Sequence, residues 1–312
     1  MLQTSHTGRS THGFTYARAL AASEKVNWRV EDIIGGARRL DFSKPFMPES
    51  LARTGALDVL DADARLKLNQ IRANGYLYVF GLVEEFILPF VLDHARPLLA
   101  KDDLRTRALL RFASEEAKHI HLFRTFEREF EAGFGTACDM IGPADEIGNA
   151  VLAHHPLSVA LLILQVEWMT QRHYLESVRD SQGLDEQFRS LLRHHWMEEA
   201  QHAQLDTLMV EAIAETCDSR QVEQAIDGYL EIGAMFDGAL RQQAAFDLDA
   251  LQRATRQRYA PAEAERIVAV QHQAMRWTFL GSGISHPSFL RSVEALSPAR
   301  AVRLAEVAKA FN

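Results

Sequence analysis

Apolar residues recur along most of the chain at three- and four-residue intervals, broken by short polar stretches carrying Pro or Gly, which is the pattern of helices. Strand-like alternation bounded by turn residues is almost absent. The pattern predicts a long helix over about 61–93, stopping at DHARP, and a second over about 102–132, before GFGTACDMIGP. A third is predicted over about 157–179, after HHP, and a fourth over about 184–217. Residues 220–256 read as a fifth helix, APAEAERIVAVQHQAMRWTFL as a sixth, and the rest as shorter helices. Residues 1–55 read as a loose tail with short helices, and FSKPFMPES as an extended connection. No segment has the composition of a linker. The expectation is one all-α domain over 1–312: an N-terminal extension (1–55), a bundle core (56–217) and C-terminal helices (218–312).

The most apolar stretch, YLYVFGLVEEFILPFVL from Tyr76 to Leu92, places Glu84 and Glu85 at its centre. A buried, unpaired carboxylate costs several kcal/mol, so such a group takes up a proton or finds a positive partner. Two central acids also fit a membrane span poorly, and no second such stretch exists.

Two further motifs answer the need for a positive partner. ASEEAKHIHLF lies in the second predicted helix and WMEEAQHAQLD in the fourth, so Glu116 pairs with His119 and Glu199 with His202 at i, i+3. That spacing puts both side chains on one helix face. A single ExxH arises about once by chance in such a chain, whereas EExxH is expected only about 0.08 times and occurs twice. Glu84 precedes Glu116 by the same number of residues as Glu167 precedes Glu199, and the words LVEEF and QVEWM align. The chain thus reads as two helix hairpins of one plan, each with a Glu followed by ExxH. Four Glu and two His on four helices are the ligand constellation of a di-iron or di-manganese carboxylate bundle. Carboxylates are hard, anionic and able to bridge two cations, and neutral imidazole suits iron. Zinc fits less well, since its structural sites are four-coordinate. The 32-residue match selects Glu84, with Glu85 as the alternative. Glu115 and Glu198 lie about 100° round their helices from the proposed ligands and read as supporting or solvated groups.

Composition narrows the partners. The formal charge of −8 argues against nucleic acid. Two cysteines, Cys138 and Cys217, without a CxxC, exclude a disulfide framework and fit a reducing cytoplasm. The opening residues, MLQTSHTGRSTHGFTYARAL, have no apolar core of a signal peptide. A soluble cytoplasmic protein without membrane partners is expected.

The fourth helix also carries His195, four residues before Glu199, where the first hairpin has Phe112. By spacing alone such a histidine is more often packed or exposed than a ligand. HxxxExxH on the last ligand helix, ExxH on the second and a lone Glu on each of the others resemble the AurF-like diiron N-oxygenases, typified by p-aminobenzoate N-oxygenase. The resemblance covers about residues 55–215, and more loosely MPESLARTGALDVLDADARLKL and GISHPSFL. It implies a ferritin-like bundle whose two irons are held by Glu84, Glu116, His119, Glu167, His195, Glu199 and His202, with Glu116 and Glu199 bridging. It further implies dioxygen as co-substrate, a small-molecule amine as substrate, and a homodimer. No flavin or nicotinamide motif is evident, so a separate reductase is expected as electron donor. Tyr76, Phe80, Phe112, Trp168 and Trp196 lie near the ligands in sequence and read as core or as pocket wall. The competing readings are a diiron hydroxylase or desaturase acting on C–H bonds, and ferritin-like iron handling without an organic substrate.

Overall fold

The computed structural model describes residues 12–311, and the first eleven residues of the predicted tail lie outside them. Apart from one isolated bridge, Gly35 to Arg38, all regular structure among the described residues is helical. The N-terminal segment holds α1 (Tyr16–Ser23), α2 (Val30–Ile33) and α3 (Glu49–Ala52). Then come α4 (Ala62–Ala95), α5 (Asp103–Phe134), the short α6 (Ala144–Leu152), α7 (Pro156–His173) and α8 (Glu186–Ala214). The chain closes with α9 (Ser219–Thr255), α10 (Pro261–Arg276), α11 (Ser282–Ile284), α12 (Pro287–Leu296) and α13 (Pro298–Lys309). α7 and α10 each run on into a π-helical turn, Tyr174–Val178 and Trp277–Gly281.

The long helices start where the sequence offers an aspartate cap. Asp61, Asp102, Asp185 and Asp218 accept from the backbone N–H of Ala64, Arg105, Phe188 and Gln221, satisfying donors that the first helical turn leaves free. α5 stops at Gly135, whose φ of 75° is the left-handed conformation that glycine adopts without strain.

α4 packs against α5, and α7 against α8, as two hairpins; α5 meets α8, while α9 lies along α4 and α7. Because α4 has neighbours on several sides, it is apolar around most of its circumference. It is long and apolar enough to cross a membrane, yet 67% of its most apolar window is buried inside the protein.

The N-terminal segment departs from the expected loose tail. α1 packs on α5 and α8, and Trp28, Phe46 and Met47 are buried. FSKPFMPES is not the expected extended run. It turns at Phe42 and Ser43, where the Lys44 N–H donates to the Asp41 carbonyl at 3.0 Å, bends again at Phe46 and Met47, and enters α3 at Glu49. It is held by Asn69 of α4. The Asn69 Oδ1 accepts from the backbone N–H of Phe46 (2.8 Å) and Met47 (3.0 Å), and its Nδ2–H donates to the Met47 carbonyl at 2.8 Å. A buried side-chain amide supplies the hydrogen bonds that this non-helical backbone otherwise takes from water. Helical periodicity does not register that kind of order.

One close approach fixes the C-terminal helices against the bundle. A Cβ on Gly283 of α11 would stand 2.6 Å from the Gln165 carbonyl oxygen of α7. Gly283→Ala is therefore expected to destabilise the fold by about 1–3 kcal/mol, as overpacking does. Gly233→Ala on α9, where a Cβ meets nothing within 4 Å, should be neutral or stabilising. Thermal unfolding of the two variants checks the contrast.

Candidate metal centre

The seven residues proposed from sequence are buried: Glu84 on α4, Glu116 and His119 on α5, Glu167 on α7, and His195, Glu199 and His202 on α8. Six of them form two overlapping groups whose donor atoms lie within 4.8 Å of one another. One group is Glu84, His119, His195 and Glu199; the other is Glu116, His119, Glu199 and His202. Glu199 turns Oε1 to His195 Nε2 (2.8 Å) and His119 Nδ1 (3.1 Å), and Oε2 to His202 Nδ1 (3.3 Å). Glu116 likewise lies between the two rings, Oε1 2.9 Å from His202 Nδ1 and Oε2 3.8 Å from His119 Nδ1. Glu199 thus faces three histidines and Glu116 two, and each directs its two oxygens to different rings, the orientation required for bridging two cations. Glu167 is buried against Glu199 but falls outside both groups. The neighbouring acid of the opening stretch points elsewhere: the exposed Glu85 pairs with Arg124 at 2.6 Å.

The histidines are aimed by residues whose role the sequence left open. Glu198 on α8 accepts from His119 Nε2–H on α5 at 2.8 Å, and Glu115 on α5 accepts from His202 Nε2–H on α8 at 3.0 Å. Each carboxylate is also held by a cation, Lys118 on Glu198 and Arg111 on Glu115 (2.9 Å). With the remote nitrogen donating outward, each Nδ1 faces the centre, which fixes both ring orientation and the ligating nitrogen. Ser23 Oγ–H donates to Glu115 at 2.7 Å, and the Trp28 ring stacks on His119 at 5.9 Å with Lys118 Nζ over it at 3.8 Å. The N-terminal segment thereby closes one face of the centre.

The donor chemistry fits a pair of cations. Glu84 Oε2, both oxygens of Glu116, Glu167 Oε2, Glu199 Oε1 and His119 Nδ1 are buried and lack a well-aligned hydrogen bond. Several lie near one another without suitable angles for hydrogen bonding, so lone pairs converge on shared space. Protons compete with metal there. Burial, reinforced by Glu116, pushes Glu84 up to about 8, and burial and Glu199 hold Glu167 well above the carboxylate range. Burial opposes charge on His119 and His202, but the surrounding carboxylates keep both well above the usual imidazole range. Burial also opposes ionisation of Glu199, yet His195 and His202 pull it well below its ordinary value. A divalent cation binding here displaces protons.

Among the aromatic candidates, Phe80 sets its edge against His195 at 5.3 Å and Phe112 lies over His202 at 4.2 Å. Trp168 and Trp196 stack instead on His286 and Tyr174. Tyr76 bonds to the buried His173 at 3.0 Å. Since the Ser282 hydroxyl donates to the Thr278 carbonyl, it accepts from His173 Nε2–H, and Tyr76 Oη–H donates to Nδ1. Sequence reasoning also missed Asp206, buried near His202 and Glu116 and held well above the carboxylate range, chiefly by burial. Its signal was present, since it continues the face of Glu199 and His202 by i+4.

The sequence matches no protein-family model and no curated protein. Among solved structures, the chain is similar to an R2-like ligand-binding oxidase variant with an anaerobically reconstituted Mn/Fe cofactor. Identity is 15%, coverage 83% of this chain and 92% of that one, and the TM-score 0.45. A second variant of such an oxidase, with an aerobically reconstituted Fe/Fe cofactor, is 17% identical over 81% of this chain and 90% of its own, with a TM-score of 0.43.

Two outcomes are expected. In metal-free protein, the raised Glu84 stabilises the fold below about 4.5, and that contribution is lost as pH rises through about 8. His119, His202 and Glu167, all raised, act in the same direction. Thermal scans in chelator should therefore show falling stability over that window, with recovery on adding ferrous or manganous ion. Separately, Glu198→Gln should weaken metal binding about 10–100-fold, the usual effect of losing a histidine's supporting carboxylate. Glu85→Gln should leave it unchanged, and chelator competition measures both.

Proposed function

We propose that this chain is a dioxygen-dependent dimetal oxygenase that N-oxygenates a small-molecule amine, receiving electrons from a separate reductase and acting as a homodimer. The observation that carries the reading is the pair of overlapping donor groups sharing His119 and Glu199. The AurF-like resemblance supplies the amine, and His195, inside one group, is the residue on which it turns. The overall reaction balances as amine, dioxygen, two electrons and two protons giving hydroxylamine and water. Two irons, or iron with manganese, when bound supply the redox chemistry with dioxygen.

The protein's own part is ligation, orientation and exclusion of water. Glu84, His195, His119 and Glu199 would hold one cation, and Glu116, His202, His119 and Glu199 would surround the other. His119 supplies a single inward nitrogen, so it commits to one cation while its ring lies beside the second. Glu167 would complete the set from α7 on turning an oxygen inward. Glu198 and Glu115 keep His119 and His202 in the ligating orientation. Phe80 and Phe123, edge-on to His195 at 5.3 and 5.1 Å, keep water from that side.

C–H oxygenation or desaturation is a second reading, favoured by those same rings, which put hydrocarbon rather than a hydrogen-bonding group beside His195.

Anaerobic reconstitution followed by dioxygen and a panel of aryl and aliphatic amines and alkanes tests both. Two irons per chain and a product gaining one oxygen on nitrogen are expected, and Glu199→Ala should abolish both. His195→Ala should retain iron in the Glu116 group and lower product formation at least about tenfold. Oxygen on carbon, or desaturation, would select the second reading. Turnover of many irons without organic product would point to iron handling, and failure to bind iron would sink the proposal.

A further inference from the structure

Where α5 ends, a pocket of about 460 Å³ opens between α4, the last turns of α5 and the segment 135–140 that follows. That is the size of a small-molecule site. It lies apart from the candidate metal centre. Tyr78, in its α4 wall, comes six residues before Glu84, about 9 Å along the helix, and Glu127, in its α5 wall, eight residues after His119, about 12 Å.

The α5 wall is acidic. Glu127 and Glu131 stand one turn apart and both line the pocket, and no basic side chain among the described residues does so. The nearby guanidiniums are engaged elsewhere: Arg124 pairs with Glu85 at 2.6 Å, and Arg128 donates to the Thr125 hydroxyl at 2.9 Å. Burial, reinforced by Glu131, pushes Glu127 up to about 7, as happens to a carboxylate short of counter-charge.

α4 contributes a second, independent sign of a missing partner. Asn74 lines the same pocket, is only 6% exposed, and has its Oδ1 buried without a hydrogen bond. An amide oxygen in that state is costly unless a donor comes to it. The remaining wall is held in place from α4 and α9. Tyr78 Oη–H donates to the Ile141 carbonyl at 2.6 Å, and Gln243 accepts from the Ile141 N–H at 2.9 Å while donating to the Asp139 carbonyl at 3.1 Å. Arg253 donates to the Ala137 carbonyl at 2.9 Å. Phe130, Ala137 and Met140 add apolar surface.

We propose that this pocket binds a small organic cation, a primary ammonium carried on an apolar body, with Glu127 and Glu131 as counter-charge and Asn74 Oδ1 accepting one of its N–H bonds. An ammonium brings three donors and no acceptor, which suits a set of carboxylate and amide oxygens. A bare divalent cation fits less well, since the two groups of acids and histidines whose donor atoms converge among the described residues both belong to the metal centre. An anion would meet two carboxylates and no positive group. The proposal does not rest on the oxygenase reading.

Calorimetric titration of the full chain, iron-loaded under argon and separately in chelator, tests this with 2-phenylethylamine, its neutral counterpart 2-phenylethanol, and manganous ion. The amine is expected to bind at least about tenfold more tightly than the alcohol in both forms of the protein. Glu127→Gln, which keeps the shape and removes the charge, should abolish that preference. Glu129→Gln, on the same helix but paired with Arg39 at 2.6 Å and outside the pocket, should leave it intact. Should Glu127→Gln not fold, the exposed Glu131→Gln decides, with a loss of about threefold. Equal affinity for amine and alcohol, amine binding that survives both pocket substitutions, or displacement of the amine by manganous ion overturns the inference. A preference seen only in iron-loaded protein would assign the amine to the metal centre and overturns it too. Protein that shows the preference but binds no iron removes the oxygenase reading alone.

Discussion

Negative charge placed in an apolar helix bundle is the constraint from which the rest follows. Glu84, Glu116, Glu167 and Glu199 meet in a region that hydrophobic side chains close off from water. Such a cluster persists only when protons or cations balance it. The balance reaches beyond the inward residues. Glu198 reaches from α8 to His119 on α5, and Glu115 from α5 to His202 on α8, so the two hairpins are cross-linked by a reciprocal pair of hydrogen bonds. Those bonds tie the register of α5 against α8 to the orientation of the imidazoles. A slip of one turn between these helices would break both, and would leave buried carboxylates without their partners.

Much of this was legible in sequence, for a physical reason. Helical period and aspartate caps are local, so α4, α5, α8 and α9 begin and end within a few residues of where the pattern puts them. The inward side of each helix was equally readable, since i, i+3 and i, i+4 spacing determines which side chains share a face. Thus the match of LVEEF with QVEWM separated the buried Glu84 from the exposed Glu85. What spacing does not encode is the neighbour that a side chain meets on another helix. Glu115 and Glu198 were visible as the first acids of two EE pairs, but their exchange of histidines depends on how α5 and α8 cross. Trp28 and Ser23 were less visible still. They come from the end of the short α1 and the irregular stretch after it, in a segment whose position relies on Asn69 and on packing against α5 and α8.

The two hairpins share a plan and differ where chemistry would require it. At one position the first has Phe112 and the second His195. Phe112 lies over the His202 ring, so that part of the centre is packed by hydrocarbon, while His195 turns Nε2 inward between Glu84 and Glu199. One donor group therefore contains a histidine, His195, that the shared plan of a Glu followed by ExxH does not supply. The outer surroundings follow the same asymmetry. α1 and Trp28 cover the α5 and α8 side with hydrogen bonds and a stacked indole, whereas the α4 and α7 side is faced by α9 across an apolar cleft.

These two asymmetries coincide. Phe80 of α4 lies edge-on to His195 in one group, whereas Phe112 covers the ring of His202 in the other. On the opposite face, Lys118 and Arg111 hold the carboxylates that aim the histidines, and a displaced ring there would disturb ligation of both cations. Hydrocarbon packing and charged anchoring thus come from different sides of the same four helices. A duplicated hairpin provides the pair of donor groups, and the departure from duplication at Phe112 and His195 gives that pair a front and a back.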